Sequence, residues 1–207
     1  MGAVQTNLLE RIKSCRVCED HLPLGPRPIV QGLPSARLLI VGQAPGLKVH
    51  QTGIPWNDAS GDRLRQWLGV SREIFYDPKL VALLPIGFCY PGRAKSGDVP
   101  PRKECYDLWH ESFISYLKKT QLTLLVGNYA QAKYLKGDVK ANGTETIRYW
   151  QEYFPKYIPL PHPSPRNNIW LSKNPWFIKT VIPELQLMIE DLNLLGTKET
   201  ICLKNSI

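Results

Sequence analysis

The chain has 207 residues, 43% of them hydrophobic, which is enough to bury the core of one compact domain. It contains no apolar run of about 18 residues, so the sequence indicates no membrane span. A formal net charge of +8 is compatible with a phosphate-rich partner, although a solvated basic surface would give the same charge. The N-terminus, Met1–Lys13, has the pattern of a short amphipathic helix and not of a signal peptide. We therefore expect a monomeric, cytoplasmic protein.

Four short runs of consecutive apolar residues are typical of parallel strands that are covered on both faces. A Gly or Pro turn signal follows each run. Pro159 lies inside the last run and has no N–H to donate to a ladder, so this strand is the least strongly indicated. The predicted strands are Arg37–Val41, Leu80–Leu84, Leu122–Val126 and Lys156–Leu160.

Helical patterns lie between and after these strands. They cover Ser60–Leu68, Pro101–Lys119, Tyr129–Leu135 and Asn174–Leu195, and Pro183 is expected to kink or split the last one. This alternation predicts an α/β fold, a three-layer α/β/α sandwich with a central four-stranded, mainly parallel sheet. It occupies one domain, residues 1–195, followed by a polar tail at 196–207. Ligands bind such sheets outside the carboxyl ends of the strands, so the turns there are the candidate sites.

Four of the five cysteines have a spacing that suggests a shared site. Cys15 and Cys18 form a C-x-x-C pair, and Cys89 and Cys105 form a more distant pair, while Cys202 lies apart in the tail. A redox C-x-x-C would follow a strand, whereas this one precedes the first strand. Four thiolates suit zinc or an iron–sulphur cluster, and spacing does not separate the two. The alternative is that Cys89 and Cys105 are inert buried thiols.

Two loops near the first predicted strand carry candidate binding groups. The sequence Gly42-Gln43-Ala44-Pro45-Gly46 forms a tight turn whose backbone amides can approach a ligand closely. The segment Thr52–Gly61 then places Trp56 and Asp58 beside a helix start. Trp56 could stack on a nucleobase or simply pack in the core. Asp58 could act on a ligand or simply cap the helix.

A third loop follows the last predicted strand and contains a histidine between two prolines. Its sequence is Leu160-Pro161-His162-Pro163-Ser164-Pro165-Arg166-Asn167-Asn168. A lone histidine is usually structural. All three loops, however, are expected at the same edge of the predicted sheet, which makes His162 a candidate for chemistry.

The order of these loops resembles the uracil-DNA glycosylase superfamily. Gly42–Gly46 is similar to its first motif, and His162-Pro163-Ser164-Pro165 is similar to its last. Thr52-Gly53-Ile54-Pro55-Trp56 is similar to the Thr-Gly-x-Pro-Phe stretch of the bacterial and archaeal families four and five. Members of those families carry a [4Fe–4S] cluster, and the resemblance runs from about Leu8 to Asn168. It implies a [4Fe–4S] cluster, with zinc less favoured, on Cys15, Cys18, Cys89 and Cys105.

The resemblance implies an enzyme of base excision repair whose partner is DNA containing a deaminated base. The base would be flipped out of the stack and its N-glycosidic bond hydrolysed. His162 would stabilise the leaving base, Trp56 would stack on it, and backbone amides near Gln43 would help to hold it. The implied substrate-binding residues are Gly42, Ala44, Pro45, Gly46, Trp56 and Asn57, and the implied DNA-binding residues are Ser164, Pro165 and Arg166.

The chain departs from the superfamily in its first motif. Ala44 stands where the best-known glycosylases have the aspartate that positions water, and Gln43 stands where family four has a glutamate. Asp58, in Asp-Ala-Ser-Gly, resembles an aspartate used by family five and is the candidate that replaces them. Asp62 is the alternative. The implied catalytic set is therefore His162, Asp58 and Gln43.

A second departure affects base recognition. Pro85 stands where family four has an asparagine that reads uracil, and Asn57 or Asn128 could replace it. The preferred base is therefore open. The sequence is also compatible with two other functions: a weak or inactive glycosylase-fold protein that binds DNA or a nucleotide, and an iron–sulphur or zinc protein unrelated to DNA.

Overall fold

The computed structural model describes residues 3–95 and 97–194, and side chains from residue 8 onward within these ranges. Its central sheet has four strands in the order β2-β1-β5-β6, and every neighbouring pair is parallel. A short antiparallel hairpin, β3–β4, lies outside this sheet. The strands are β1 (Leu38–Gly42), β2 (Val81–Pro85), β3 (Arg93–Ala94), β4 (Gly97–Asp98), β5 (Leu122–Val126) and β6 (Ile158–Leu160).

Nine α-helices surround the sheet in the described ranges: α1 (Ala3–Lys13), α2 (Leu47–Thr52), α3 (Ala59–Leu68), α4 (Arg72–Tyr76), α5 (Glu111–Tyr116), α6 (Asn128–Leu135), α7 (Gly143–Arg148), α8 (Asn168–Lys173) and α9 (Ile182–Asp191). Two π-helical segments, Tyr106–His110 and Phe177–Val181, lead directly into α5 and α9. No helix in the described ranges is long and apolar enough to cross a membrane.

The alternation of side chains along β1 produces two separate cores. Leu38 and Ile40 pack into a cluster with residues of α3 and α9. Leu39 and Val41 pack into a second cluster with residues of α1, α5 and α6 on the other face. All five residues of β1 are buried, as expected for a central strand covered on both sides. The predicted three-layer α/β sandwich is thus confirmed.

The predicted boundaries differ from the observed ones where proline interrupts regular structure. β6 begins at Ile158 and not at Lys156, and its position at the sheet edge accommodates Pro159. The helix predicted at Pro101–Lys119 is too long, because helical structure begins only at Glu104 and α5 ends at Tyr116. Pro183 lies in the first turn of α9, directly after a π-helical segment, so the predicted irregularity is present. The polar tail and Cys202 lie outside the described residues.

Candidate active site

A cavity of about 470 Å³ opens at the carboxyl ends of β1 and β2, beside the loop that follows β6. Most of the predicted site residues line it: Gly42, Gln43, Ala44, Pro45, Gly46, Trp56, Asp58, His162, Ser164 and Arg166. Asn57 and Pro165 are not among its lining residues. The parallel topology therefore brings the three predicted loops together at one edge of the sheet, as expected for an α/β fold.

The turn after β1 is held in place by the extension of β2. The N–H of Ile86 donates to the carbonyl of Gly42 at 2.9 Å, and the N–H of Gly87 donates to the carbonyl of Gln43 at 3.0 Å. Gly42 also leaves room for Trp56, because a Cβ at position 42 would lie 2.8 Å from Trp56 Cζ2. The glycine thus lets the indole ring approach the end of β1 closely.

Trp56 is placed in the cavity by an unusual backbone. Its φ of 56° lies in the left-handed region, and its carbonyl oxygen packs against Gly61, where a Cβ would lie only 1.7 Å away. The ring is half-buried and packs partly on the core beneath it. Its centroid is 5.8 Å from that of His162, at an interplanar angle of 32°. Trp56 therefore combines core packing with an aromatic wall of the cavity.

Asp58 caps α3 and also lines the cavity. Its Oδ1 accepts a hydrogen bond from the N–H of Gly61 at 2.9 Å, which satisfies one of the free donors at the helix start. The alternative candidate, Asp62, instead pairs with Arg65 and is not among the lining residues. Of these two candidates, only Asp58 lines the cavity.

His162 has a defined hydrogen-bonding arrangement. The N–H of Ser164 donates to His162 Nδ1 at 3.2 Å, and Asn167 Nδ2 donates to the His162 carbonyl at 2.7 Å. Because Nδ1 accepts a hydrogen bond, the proton of the neutral ring resides on Nε2. Burial lowers the pKa of His162, and the charges of Asp58 and Asp98 only partly oppose this effect. His162 is therefore neutral near pH 7 and presents an N–H donor.

The loop after β6 supplies the polar wall at the cavity mouth. Ser164 Oγ accepts from the N–H of Arg166 at 3.2 Å, and the Ser164 carbonyl accepts from Arg63 Nη1 at 3.1 Å. Arg166 and Lys48 both line the cavity and carry positive charge. This wall is suited to a phosphate, because cationic side chains and hydroxyl groups are common phosphate contacts.

A second cavity of about 350 Å³ lies beside the first and shares Gln43, His162 and Asn167 with it. Asn128, at the start of α6, lines this second cavity and occupies space that a side chain at Gly143 would fill. The other candidate amide, Asn57, accepts a hydrogen bond from Arg72 Nη2 at 3.1 Å and lines neither cavity. The structure therefore separates these two amides, and only Asn128 lies near His162.

Asp98 was not predicted from the sequence, although it lines the main cavity. It belongs to the β3–β4 hairpin, whose strands have two residues each. Strands this short carry no hydrophobic periodicity, so no sequence pattern marks them. The Gly97-Asp98 pair, a common turn combination, was the only available signal.

The four predicted cysteine ligands line one small pocket. Cys18, Cys89 and Cys105 are buried and Cys15 is half-buried. No group of three or more His, Cys, Asp or Glu side chains within residues 3–95 and 97–194 is arranged to hold a metal ion. Burial raises the pKa of Cys89 to about 11 and that of Cys105 to about 12. The thiols are therefore protonated unless a cation compensates their buried charge.

A family model described as the uracil DNA glycosylase superfamily matches residues 29–186, well over half of the chain. The matched range contains β1 to β6, the three loops around the cavity, and Cys89 and Cys105. Cys15 and Cys18 precede it.

Proposed function

Since the chain belongs to the uracil DNA glycosylase superfamily, we propose that it hydrolyses the N-glycosidic bond of uracil or another deaminated base in DNA. One observation carries this proposal. A neutral histidine with its proton on Nε2 lies 5.8 Å, centroid to centroid, from a tryptophan ring in a cavity at the strand ends. This pair offers a stacking surface for a base and a hydrogen-bond donor for the charge that the base acquires.

The cavity is large enough to receive a base that has left the DNA stack. Extrusion costs a few kcal/mol, which contacts in the pocket must offset. Stacking on Trp56 supplies about 1–3 kcal/mol of this, and the backbone of Gly42–Gly46 borders the same space. Ile29 and Leu83, both buried, give the bottom of the cavity an apolar surface.

His162 acts on the leaving group in this proposal. As the glycosidic bond breaks, the electron pair departs with the base, and negative charge develops on its carbonyl oxygen. The Nε2–H of neutral His162 donates a hydrogen bond to that oxygen. A preorganised donor of this kind is worth about 10²–10³ in rate.

Asp58 is the carboxylate that we assign to the sugar side of the reaction. Its Oδ1 is held by the start of α3, which fixes the orientation of the carboxylate. Its second oxygen can face the positive charge that develops on the sugar and hold a water molecule near it. Asp58 therefore has a structural and a chemical role at once.

The base need not be uracil. Pro85 lines the cavity and has no side-chain group that reads a base edge, and Gly46 leaves its side of the cavity open. Both features favour a site that accepts several deaminated bases. At the mouth, Ser164 and Arg166 are suited to the DNA backbone, in keeping with the net charge of +8.

We assign the cysteine pocket to a [4Fe–4S] cluster, with zinc as the less favoured occupant. Although the described side chains are not arranged to hold a metal ion, the donor set supports the assignment: three buried thiols and one half-buried thiol, from two distant segments, line one pocket, and thiolates are the usual ligands of such clusters. Its ligation would link the segment at Cys15–Cys18 to the segment at Cys89–Cys105. Anaerobically purified protein should be brown and contain iron, whereas colourless, zinc-loaded protein would overturn the assignment.

The glycosylase proposal is tested by base release. Single- and double-stranded oligonucleotides carrying uracil, hypoxanthine or xanthine are incubated with the anaerobically purified protein, and abasic sites are detected by alkaline cleavage. We expect release of at least one of these bases. Absence of release from all three would refute the proposal, and salt-dependent DNA binding in that case would support an inactive, DNA-binding member of the superfamily.

A further inference from the structure

The β3–β4 hairpin returns the chain to the mouth of the main cavity. In the antiparallel backbone ladder, Arg93 lies opposite Asp98 and Ala94 lies opposite Gly97. The N–H of Val99 donates to the carbonyl of Gly92 at 2.9 Å. This short ladder sets the position of Asp98 relative to the end of β2. A residue distant in sequence from all three predicted loops thus becomes part of the cavity wall.

The hairpin lies between the first and last of these loops. Asp98 Oδ2 is 3.7 Å from the point that a Cβ on Gly46 would occupy, and Arg166 Nη1 is 2.8 Å from the corresponding point on Gly97. Asp98 therefore faces the turn after β1, while Arg166 packs against the adjacent glycine. A larger residue at position 97 would displace the Arg166 guanidinium.

Asp98 is an exposed residue of the cavity wall, on the side where we place the sugar of a bound nucleotide. The apolar residues Ile29 and Leu83 are buried at the bottom of the cavity, whereas Asp98 is exposed at its mouth. A flipped base enters first and its sugar stays attached to the DNA outside, so the reacting carbon and the attacking water lie near the mouth.

The carboxylate of Asp98 is also available for this task. Among the residues that the structure describes, no side-chain or backbone donor forms a hydrogen bond with it, and no cation lies within 4.0 Å of it. Asp58, in contrast, has one oxygen engaged by the N–H of Gly61. The two carboxylates therefore differ in how freely they can hold a water molecule.

Building on the proposed glycosylase function, we propose that Asp98 is a second catalytic carboxylate, which orients and deprotonates the attacking water. The bond between C1′ and the base nitrogen breaks, and its electron pair leaves with the base. The water oxygen forms a bond to C1′, and a water proton passes to Asp98. That proton then neutralises the released base, so the products are the free base and an abasic sugar with a C1′ hydroxyl group.

The proposal is tested with Asp98→Asn, which keeps the size of the side chain and removes its charge. Asp191→Asn is the matched control. Asp191 is exposed at the end of α9, beside the Leu192 carbonyl that accepts from Arg37 Nη1, and so lies near the amino end of β1, away from the cavity. Single-turnover base release and DNA dissociation constants are measured for the wild type and both variants.

We expect Asp98→Asn to lower the rate of base release about 100-fold, in line with general-base catalysis. Because the variant removes a negative charge from a surface that faces phosphates, its DNA affinity should be unchanged or tighter. A purely structural role would weaken binding as well. Wild-type rates in Asp98→Asn, or equal losses of rate and affinity, would overturn the proposal.

A second measurement separates this proposal from the proposed function. The charge of Asp98 raises the pKa of His162, so NMR titration should find a lower His162 pKa in Asp98→Asn and no change in Asp191→Asn. An inactive wild type would refute the glycosylase function and the catalytic role together. If the wild type is active but the His162 pKa is unchanged in Asp98→Asn, Asp98 does not act on the site. That result would exclude the catalytic role of Asp98 and leave the glycosylase function in place.

Discussion

At the residue scale, the position of Trp56 depends on the absence of a side chain at Gly61. A Cβ at this position would lie 1.7 Å from the Trp56 carbonyl oxygen, a backbone atom that cannot move without changing the start of α3. Trp56 itself has a φ of 56°, a conformation that costs free energy and persists because the surrounding structure enforces it. The position of the Trp56 ring in the cavity therefore depends on a glycine that is not among the lining residues.

This dependence predicts the effect of Gly61→Ala. We expect a loss of about 1–3 kcal/mol in the free energy of unfolding, measured by urea denaturation, because the new methyl group overpacks the turn. Gly137→Ala is the control, since a Cβ there meets no atom within 4 Å and its φ is not left-handed. Equal effects of the two substitutions would show that Gly61 is not sterically constrained.

A buried histidine gives the protein an acid-sensitive stability. His110 Nε2 donates to the Pro85 carbonyl at 3.0 Å, and Nδ1 accepts from the Tyr134 hydroxyl at 2.8 Å. Burial lowers the pKa of His110 to about 4, against about 6.5 in the unfolded chain. As the pH falls below 6.5 the unfolded state binds the proton first, so stability is lost between about pH 6.5 and pH 4.

We therefore expect the free energy of unfolding to fall by about 3 kcal/mol from this residue across that window. In His110→Gln, whose amide can still donate to Pro85, the fall with pH should be smaller, even though the variant is less stable at pH 7. Urea unfolding at pH 7 and at pH 4.5 measures the difference. An identical pH dependence in the two proteins would exclude His110 as the source.

Residues that line the cavity could be predicted from the sequence where they stand in a motif, and could not be predicted where only folding brings them there. His162, Trp56 and Asp58 stand in recognisable loops, and all three line the cavity. Asn57 stands in the same motif as Trp56 and Asp58, but it is hydrogen-bonded to Arg72 and does not line the cavity. Asp98 lines the cavity but stands in no motif. The local sequence does not reveal which side chain faces the cavity, because its orientation depends on contacts between distant segments.

At the element scale, the strands were predictable because each is buried on both faces and reads as a continuous apolar run. β1 and β2 match within one residue, and β5 matches at both ends. The π-helical segments Tyr106–His110 and Phe177–Val181 were not predicted as such, because a π-helical turn has no distinct hydrophobic period. The first of them begins directly after Cys105, so it sets where that thiol enters the cysteine pocket.

The assignment of that pocket predicts different behaviour for two cysteines. Cys105→Ser should lower the iron content and the visible absorption of the anaerobically purified protein, and should lower its melting temperature by several degrees. A cluster that links distant segments stabilises the folded state, and its loss removes this contribution. Cys202→Ser, a change in the C-terminal tail, serves as the control and should alter neither quantity. Iron content that survives Cys105→Ser would exclude Cys105 as a ligand.

At the level of the whole molecule, the parallel sheet explains why residues from widely separated segments share one cavity. The carboxyl ends of β1, β2 and β6 lie at the same edge, and the β3–β4 hairpin joins them from outside the sheet. The cavity has buried apolar residues, Ile29 and Leu83, and basic residues, Lys48 and Arg166. This arrangement suits a base bound inside the cavity and a DNA backbone that remains outside it. Fold and superfamily are thus established, and on that basis we propose catalysis by His162.

The role of His162 is tested by comparing the wild type with His162→Ala in single-turnover release of uracil, hypoxanthine or xanthine from DNA. We predict that the wild type releases at least one of these bases and that His162→Ala releases it about 100-fold more slowly or worse, because the leaving base loses its hydrogen-bond donor. DNA affinity should change little, since His162 lies deeper than the groups suited to the phosphates. Base release by His162→Ala at the wild-type rate would exclude His162 from the catalytic step.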